Sequence, residues 1–95
     1  MRHAINLKRA IKCIDQLTTN NIMNLKNIYK NIKLECSKAK SYNYFEKEYH
    51  LFILGTILDA FERAKVRCAS DKNTIEKIDK AIAEMFEVDN LFNVF

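Results

Sequence analysis

The sequence contains no proline and a single glycine, Gly55. Hairpin and sandwich proteins need special backbone angles at frequent turns, and glycine and proline supply most of those turns. Helices need these residues least, because Asn, Ser, Thr and Asp can serve in their connections. The scarcity of both residues therefore favours an all-α fold over any sheet architecture.

Cysteine is too sparse and too scattered to form a scaffold. Cys13, Cys36 and Cys68 are odd in number, far apart and in no Cys-x-x-Cys pair. This spacing argues against a disulfide framework and against a structural zinc site. We expect three small buried thiols that pack as weakly polar core residues.

Of the two histidines, His50 is the better candidate for chemistry, because Glu46 lies one helical turn before it. Two ligands do not make a closed metal site, which needs about four. We therefore expect a surface pair of Glu46 and His50. A chain with one glycine also cannot build a glycine-rich phosphate loop. The sequence predicts no catalytic residue, no cofactor and no metal.

The longest apolar run covers residues 51–58 and lies between His50 and Asp59. It is well short of the roughly 20 residues that a membrane span requires, so it predicts a core helix. The first residues show neither a sustained apolar region nor a small-residue cleavage site. We expect a cytoplasmic protein that does not enter a membrane.

The chain has 95 residues, of which 48% are hydrophobic and 29% charged. These values are typical of one globular domain that buries about 60–65% of its unfolded surface. Apolar residues recur at helical spacing in four segments, near residues 5–17, 22–39, 45–65 and 75–86. Short connections favour antiparallel neighbours. We predict that residues 1–95 form a single domain, either a four-helix up-down bundle or two stacked helical hairpins.

The third and fourth of these segments show further sequence features. The third shows two apolar stripes and little polar surface, which predicts a central helix. The fourth opens with Asn73 and Glu76, the spacing of a capping box. The two stripes of the third segment are Phe45, Tyr49, Phe52, Thr56 and Ala60 on one side, and Leu51, Leu54, Leu58 and Phe61 on the other.

Charge divides the chain into two halves. Residues 1–40 contain nine Lys or Arg and two Asp or Glu, whereas residues 41–95 contain seven Lys or Arg and ten Asp or Glu. The first half could therefore attract an acidic protein or a nucleic acid, and the second half a basic partner.

The second predicted helix carries a basic, amide-rich face. Lysine contacts phosphates and asparagine can read adenine, so this face is compatible with nucleic acid. The face contains no arginine, and no helix-turn-helix signature accompanies it. A solvated helix surface is the stronger interpretation of this face, and a protein-binding surface is a further alternative. The face consists of Lys26, Asn27, Lys30 and Lys33.

Aromatic residues are the candidates for a partner-binding surface. They cluster at the start of the third helix and at the end of the chain, and a small bundle cannot bury all of them. We expect the apolar residues 91–95 to dock on the bundle or to be covered by a partner or a second copy. The predicted partner-binding residues are Tyr42, Tyr44, Tyr49, Phe92 and Phe95.

These features predict a non-catalytic helical module that sequesters or inhibits a partner protein. By fold-level analogy it would act as small helical immunity proteins, inhibitors and secretion chaperones do. The alternative is a small basic regulator that binds nucleic acid through the Lys/Asn face of the second helix. Self-association into a homo-oligomer stays open in both cases.

Overall fold

Four α-helices and two short 3₁₀ segments account for the described part of the chain. The structure is a computed structural model that describes the backbone of residues 2–87 and the side chains of residues 5–84. Over this range it contains no β-strand, so the predicted all-α fold is confirmed. The helices are α1 (Arg2–Asp15), α2 (Leu25–Cys36), α3 (Tyr44–Arg67) and α4 (Lys72–Glu87), and the 3₁₀ segments are Thr19–Asn24 and Ala39–Ser41.

The most extensive helix contact joins α1 to α3, while α2 packs on α1 and α4 packs on α3. Asp15, the last residue of α1, binds Arg63 near the end of α3 at 3.0 Å, so these two helices run parallel. Lys65 of α3 binds Asp79 of α4 at 2.7 Å, and these two run antiparallel. The bundle is therefore two helical hairpins that pack through α1 and α3.

The amide of Asn6 fixes the first hairpin by donating a hydrogen bond to the buried Glu35 carboxylate at 2.9 Å. This bond links the start of α1 to the end of α2. Lys38 also contacts the same carboxylate oxygen at 3.2 Å. The charge of Glu35 is thus paired although its side chain is buried.

One face of α3 supplies much of the core. The buried face lies between the two stripes predicted from the sequence, so each stripe contributes only part of it. Phe45 and Phe52, predicted on one stripe, are exposed instead. The buried residues of α3 are His50, Ile53, Leu54, Ile57, Ala60, Phe61 and Ala64.

The apolar stripe predicted for the second helix is correct, but the helix is shorter than its stripe. Asn21 leaves helical geometry, with φ −116° and ψ 19°. Its side chain accepts a hydrogen bond from the Thr18 N–H at 2.7 Å and donates one to the Gln16 carbonyl at 2.9 Å. These local bonds replace regular helical ones, so α2 begins only at Leu25.

The cap of α4 is Asp71, two residues before the predicted Asn73. The Asp71 carboxylate accepts hydrogen bonds from the backbone N–H groups of Asn73, at 3.0 Å, and Thr74, at 3.3 Å. An N-cap side chain bonds the second and third amides of its helix, which is the geometry seen here. The expectation of an Asn73–Glu76 box is therefore wrong.

Candidate functional site

Four aromatic side chains lie on the first three turns of α3 and form what we call the α3 aromatic surface. Phe45 is 79% exposed, Phe52 65% and Tyr44 60%. Tyr49 is half-buried, and its ring centroid lies 6.3 Å from that of Phe52. The rings of Tyr44 and Phe45 meet edge to face at 6.0 Å. Exposed aromatic side chains that lie close together are typical of interaction surfaces.

Side-chain direction, together with differences in helix length, explains why this surface is uncovered within residues 2–87. With 24 residues α3 is about 36 Å long, whereas the 14 residues of α1 span about 21 Å. The Asp15–Arg63 pair holds the last residue of α1 level with Arg63, four residues before the end of α3. The start of α3 therefore projects about 9 Å, or six residues, beyond the start of α1. With 16 residues, α4 packs back from the other end and spans only about 24 Å.

The structure separates the predicted partner-binding residues. It places Tyr44 and Tyr49 on the α3 aromatic surface, whereas Tyr42 is half-buried and packs edge-on against His50 at 5.9 Å. Burial, followed by the negative charge of Glu35, raises the pKa of Tyr42. Phe92 and Phe95, together with the predicted docking of residues 91–95, lie outside the described residues.

Phe45 and Phe52 are the members of the surface that sequence reasoning missed. The pattern assigned both to a core stripe because their spacing of seven residues keeps them on one helix face. At 100° per residue, however, they lie about 130° from the middle of the buried face. A stricter count around the helix could have placed them at the surface.

Gly55 lies next to the α3 aromatic surface and has no side chain to cover the backbone there. A Cβ atom built on Gly55 would meet nothing within 4 Å, so packing among the described residues does not require glycine there. Glycine inside a helix costs about 0.5–1 kcal/mol relative to alanine. The absence of a side chain one turn after Phe52 gives another helix room to approach the backbone of α3.

His50 lies in the core and not on the surface as expected. Its side chain has no exposed area, and it shares the buried face of α3 with Ile53 and Leu54. Residues three and four positions apart lie on the same helix face, which accounts for this placement. Glu46 instead completes a capping box with Asn43, the N-cap of α3: its carboxylate accepts a hydrogen bond from the Asn43 N–H at 3.2 Å, and its own N–H donates to the Asn43 side chain at 2.9 Å. The prediction of a surface pair of Glu46 and His50 is therefore wrong, because His50 is buried.

The basic face predicted on the second helix is exposed at all four residues, Lys26, Asn27, Lys30 and Lys33. The four do not border one groove. Lys26 lines a groove against α4, whereas Asn27 lines a groove against α1. Nucleic-acid binding through this face stays a prediction.

Cys36 and Cys68 are buried as expected, but Cys13 is exposed on α1. Burial, together with the neighbouring Glu35, raises the pKa of the Cys36 thiol to about 12. Cys36 is therefore protonated at neutral pH and a poor nucleophile.

Ellman's reagent should consequently modify only Cys13 rapidly in the folded protein, while Cys36 and Cys68 react when denaturant unfolds the chain. Cys13→Ser should leave no rapidly reacting thiol in the native state. Absorbance at the thionitrobenzoate band measures both rates. A second rapid thiol in the folded protein would contradict the packing of α2 or of the turn after α3.

No cluster of three or more His, Cys, Asp or Glu side chains in the described residues could hold a metal ion. Between residues 2 and 87, none of the helices has both the length and the apolar character that crossing a membrane demands. The chain matches no protein-family model, no curated protein and no solved structure.

Proposed function

We propose that this protein is a non-catalytic helical module that binds and sequesters a partner protein through the α3 aromatic surface. The observation that supports this proposal is the exposure of Phe45 and Phe52 on one helix face. Burying a phenylalanine side chain contributes about 1.5–3 kcal/mol, so covering both gives a large gain from a small area. Aromatic anchors of this kind dominate the energetics of protein interfaces.

The charges around this surface indicate the chemistry of the partner. Glu48 and Asp59 are exposed on α3 on either side of Phe52 in sequence. The Tyr44 hydroxyl hydrogen-bonds Glu48, which raises the pKa of Tyr44. A partner that presents apolar side chains flanked by Lys or Arg would complement both the rings and the carboxylates.

A paired substitution tests this proposal. Phe45→Ala with Phe52→Ala should weaken binding of the partner at least about tenfold, because each ring supplies more than about 1 kcal/mol. The control is Val66→Ala, which removes an apolar side chain that is 76% exposed near the other end of the same helix. A photo-crosslinking amino acid at position 45, expressed in the native host, identifies the partner, and titration calorimetry measures its affinity.

We expect adducts from position 45 and none from position 66. Circular dichroism should show that all variants keep their helix content. An adduct with a second copy of the chain would make self-association the role of this surface. Equal adducts from both positions, or an unchanged affinity in the paired variant, would refute the proposal.

A further inference from the structure

A second surface lies on another face of the bundle, where a groove of about 500 Å³ separates α4 from the segment 22–29. We call it the α2/α4 groove. Met23 stands 81% exposed at its edge, and the half-buried Ile22 and Tyr29 form much of its floor. Its lining is mainly apolar, with Leu25 and Ala81 completing the floor.

Three lysines and one acid border this apolar floor: Lys26, Lys77, Lys80 and Glu84. The side chains of all three lysines are exposed, and the structure gives them no salt bridge to any described residue. Glu84 lies close enough to Tyr29 to contribute, after burial, to a raised pKa of that residue. The border therefore carries a net charge of two positive units above an apolar floor.

The dimensions of the groove fit a helix. Its walls run from Ile22 to Tyr29 and from Lys77 to Glu84, which is eight residues on each side. On α4 the first and last of eight residues are about 10 Å apart along the axis, or two helical turns. The helices α1 and α3 run parallel, α2 runs antiparallel to α1, and α4 runs antiparallel to α3. The two walls of the groove therefore run in the same direction. Anchors at positions i, i+3 or i+4, and i+7 of a helix cover the same length.

We propose that the α2/α4 groove is a second docking site, which binds an amphipathic helix of a partner protein with acidic residues along the edges of its apolar face. Apolar side chains of this helix cover Met23 and Tyr29, and its carboxylates face Lys26, Lys77 and Lys80. A nucleic-acid backbone would meet the lysines but would leave the apolar floor in water. The site is separate from the α3 aromatic surface, and each can be tested alone.

The probe is a labelled helical peptide of about four turns, with leucines at helical spacing and glutamates along both edges of the leucine stripe. Fluorescence anisotropy with the full chain measures its affinity. Lys77→Glu with Lys80→Glu should weaken binding about tenfold or more, and rising salt should weaken wild-type binding. Met23→Ser should also weaken it, because Met23 contributes apolar area.

Two controls isolate the groove. Lys8→Glu with Lys72→Glu makes the same change in charge at exposed lysines that do not line the groove, and affinity should be unchanged. A peptide with lysines in place of the glutamates should bind about tenfold more weakly or worse. The Phe45→Ala, Phe52→Ala variant should bind the acidic peptide normally, so a failure of the proposed function would not affect this result.

Several outcomes would overturn the proposal. One is no binding of the acidic peptide at concentrations up to about 100 µM. Another is binding that appears only when Leu91, Phe92, Val94 and Phe95 are changed to serine, which would make the chain's own end the occupant. Preferential binding of the wild-type protein to phosphatidylglycerol vesicles, lost in Lys77→Glu, Lys80→Glu, would instead assign the groove to a lipid surface.

Discussion

Replacing Ile32 or Leu54 with alanine lowers the free energy of unfolding by about 2–5 kcal/mol in each case. Both side chains are completely buried in the core, Ile32 on α2 and Leu54 on α3. Truncation removes the favourable transfer of apolar area and leaves a cavity that close-packed neighbours fill only in part. Urea denaturation followed by circular dichroism at the helix band measures the loss.

The matched control for this prediction is Lys30→Ala, two residues before Ile32 on the same helix. Lys30 is exposed, and alanine is an excellent helix former, so stability should barely change. If Ile32→Ala is as harmless as Lys30→Ala, the face of α2 assigned to the core is the wrong one.

Replacing Arg67 with alanine should lower the free energy of unfolding by about 2 kcal/mol, because its guanidinium donates charged hydrogen bonds to the carboxyl end of α1. It donates hydrogen bonds to the Ile14 carbonyl at 2.6 Å and to the Leu17 carbonyl at 3.1 and 3.2 Å. The last carbonyls of a helix lack partners within the helix itself. Removing the guanidinium leaves the Leu17 carbonyl without this charged donor, while the Ile14 carbonyl keeps the hydrogen bond from the Leu17 N–H at 3.0 Å.

Arg63→Ala provides the comparison, since Arg63 lies one turn earlier on the same helix and binds the side chain of Asp15 at the surface. Surface ion pairs contribute little, so its loss should be much smaller. Arg67→Lys should recover only part of the stability, because lysine lacks the fork that reaches two carbonyls. Should Arg63→Ala and Arg67→Ala be equal in denaturant titration, the capping role of Arg67 is wrong.

Periodicity predicted the helices well because the apolar residues that recur at helical spacing are the residues that the fold buries. The stripe of the second segment shows this, since Leu25, Ile28 and Ile32 are all buried in α2. Helix ends were predicted less well. At Asn21 and Asp71 they depend on two hydrogen bonds between one side chain and the backbone, and several nearby polar residues could have made similar bonds.

Exposure on α3 could be predicted from its own sequence only in part. A count around the helix places Phe45 and Phe52 away from the buried face, whereas the burial of His50 depends on which helices pack against it. Only the pairing of all four helices decides such coverage. The α2/α4 groove escaped prediction for the same reason, because its walls come from segments about 50 residues apart in the chain.

The parallel packing of α1 against α3 has a consequence for how the chain folds. Each hairpin joins neighbours in sequence, but the most extensive helix contact joins residues such as Asp15 and Arg63, which are 48 positions apart. Closing a loop of that length costs entropy before any of its contacts form. We therefore expect the meeting of the two hairpins to be the slow event in folding, and folding should be slower than in bundles whose main contacts are local.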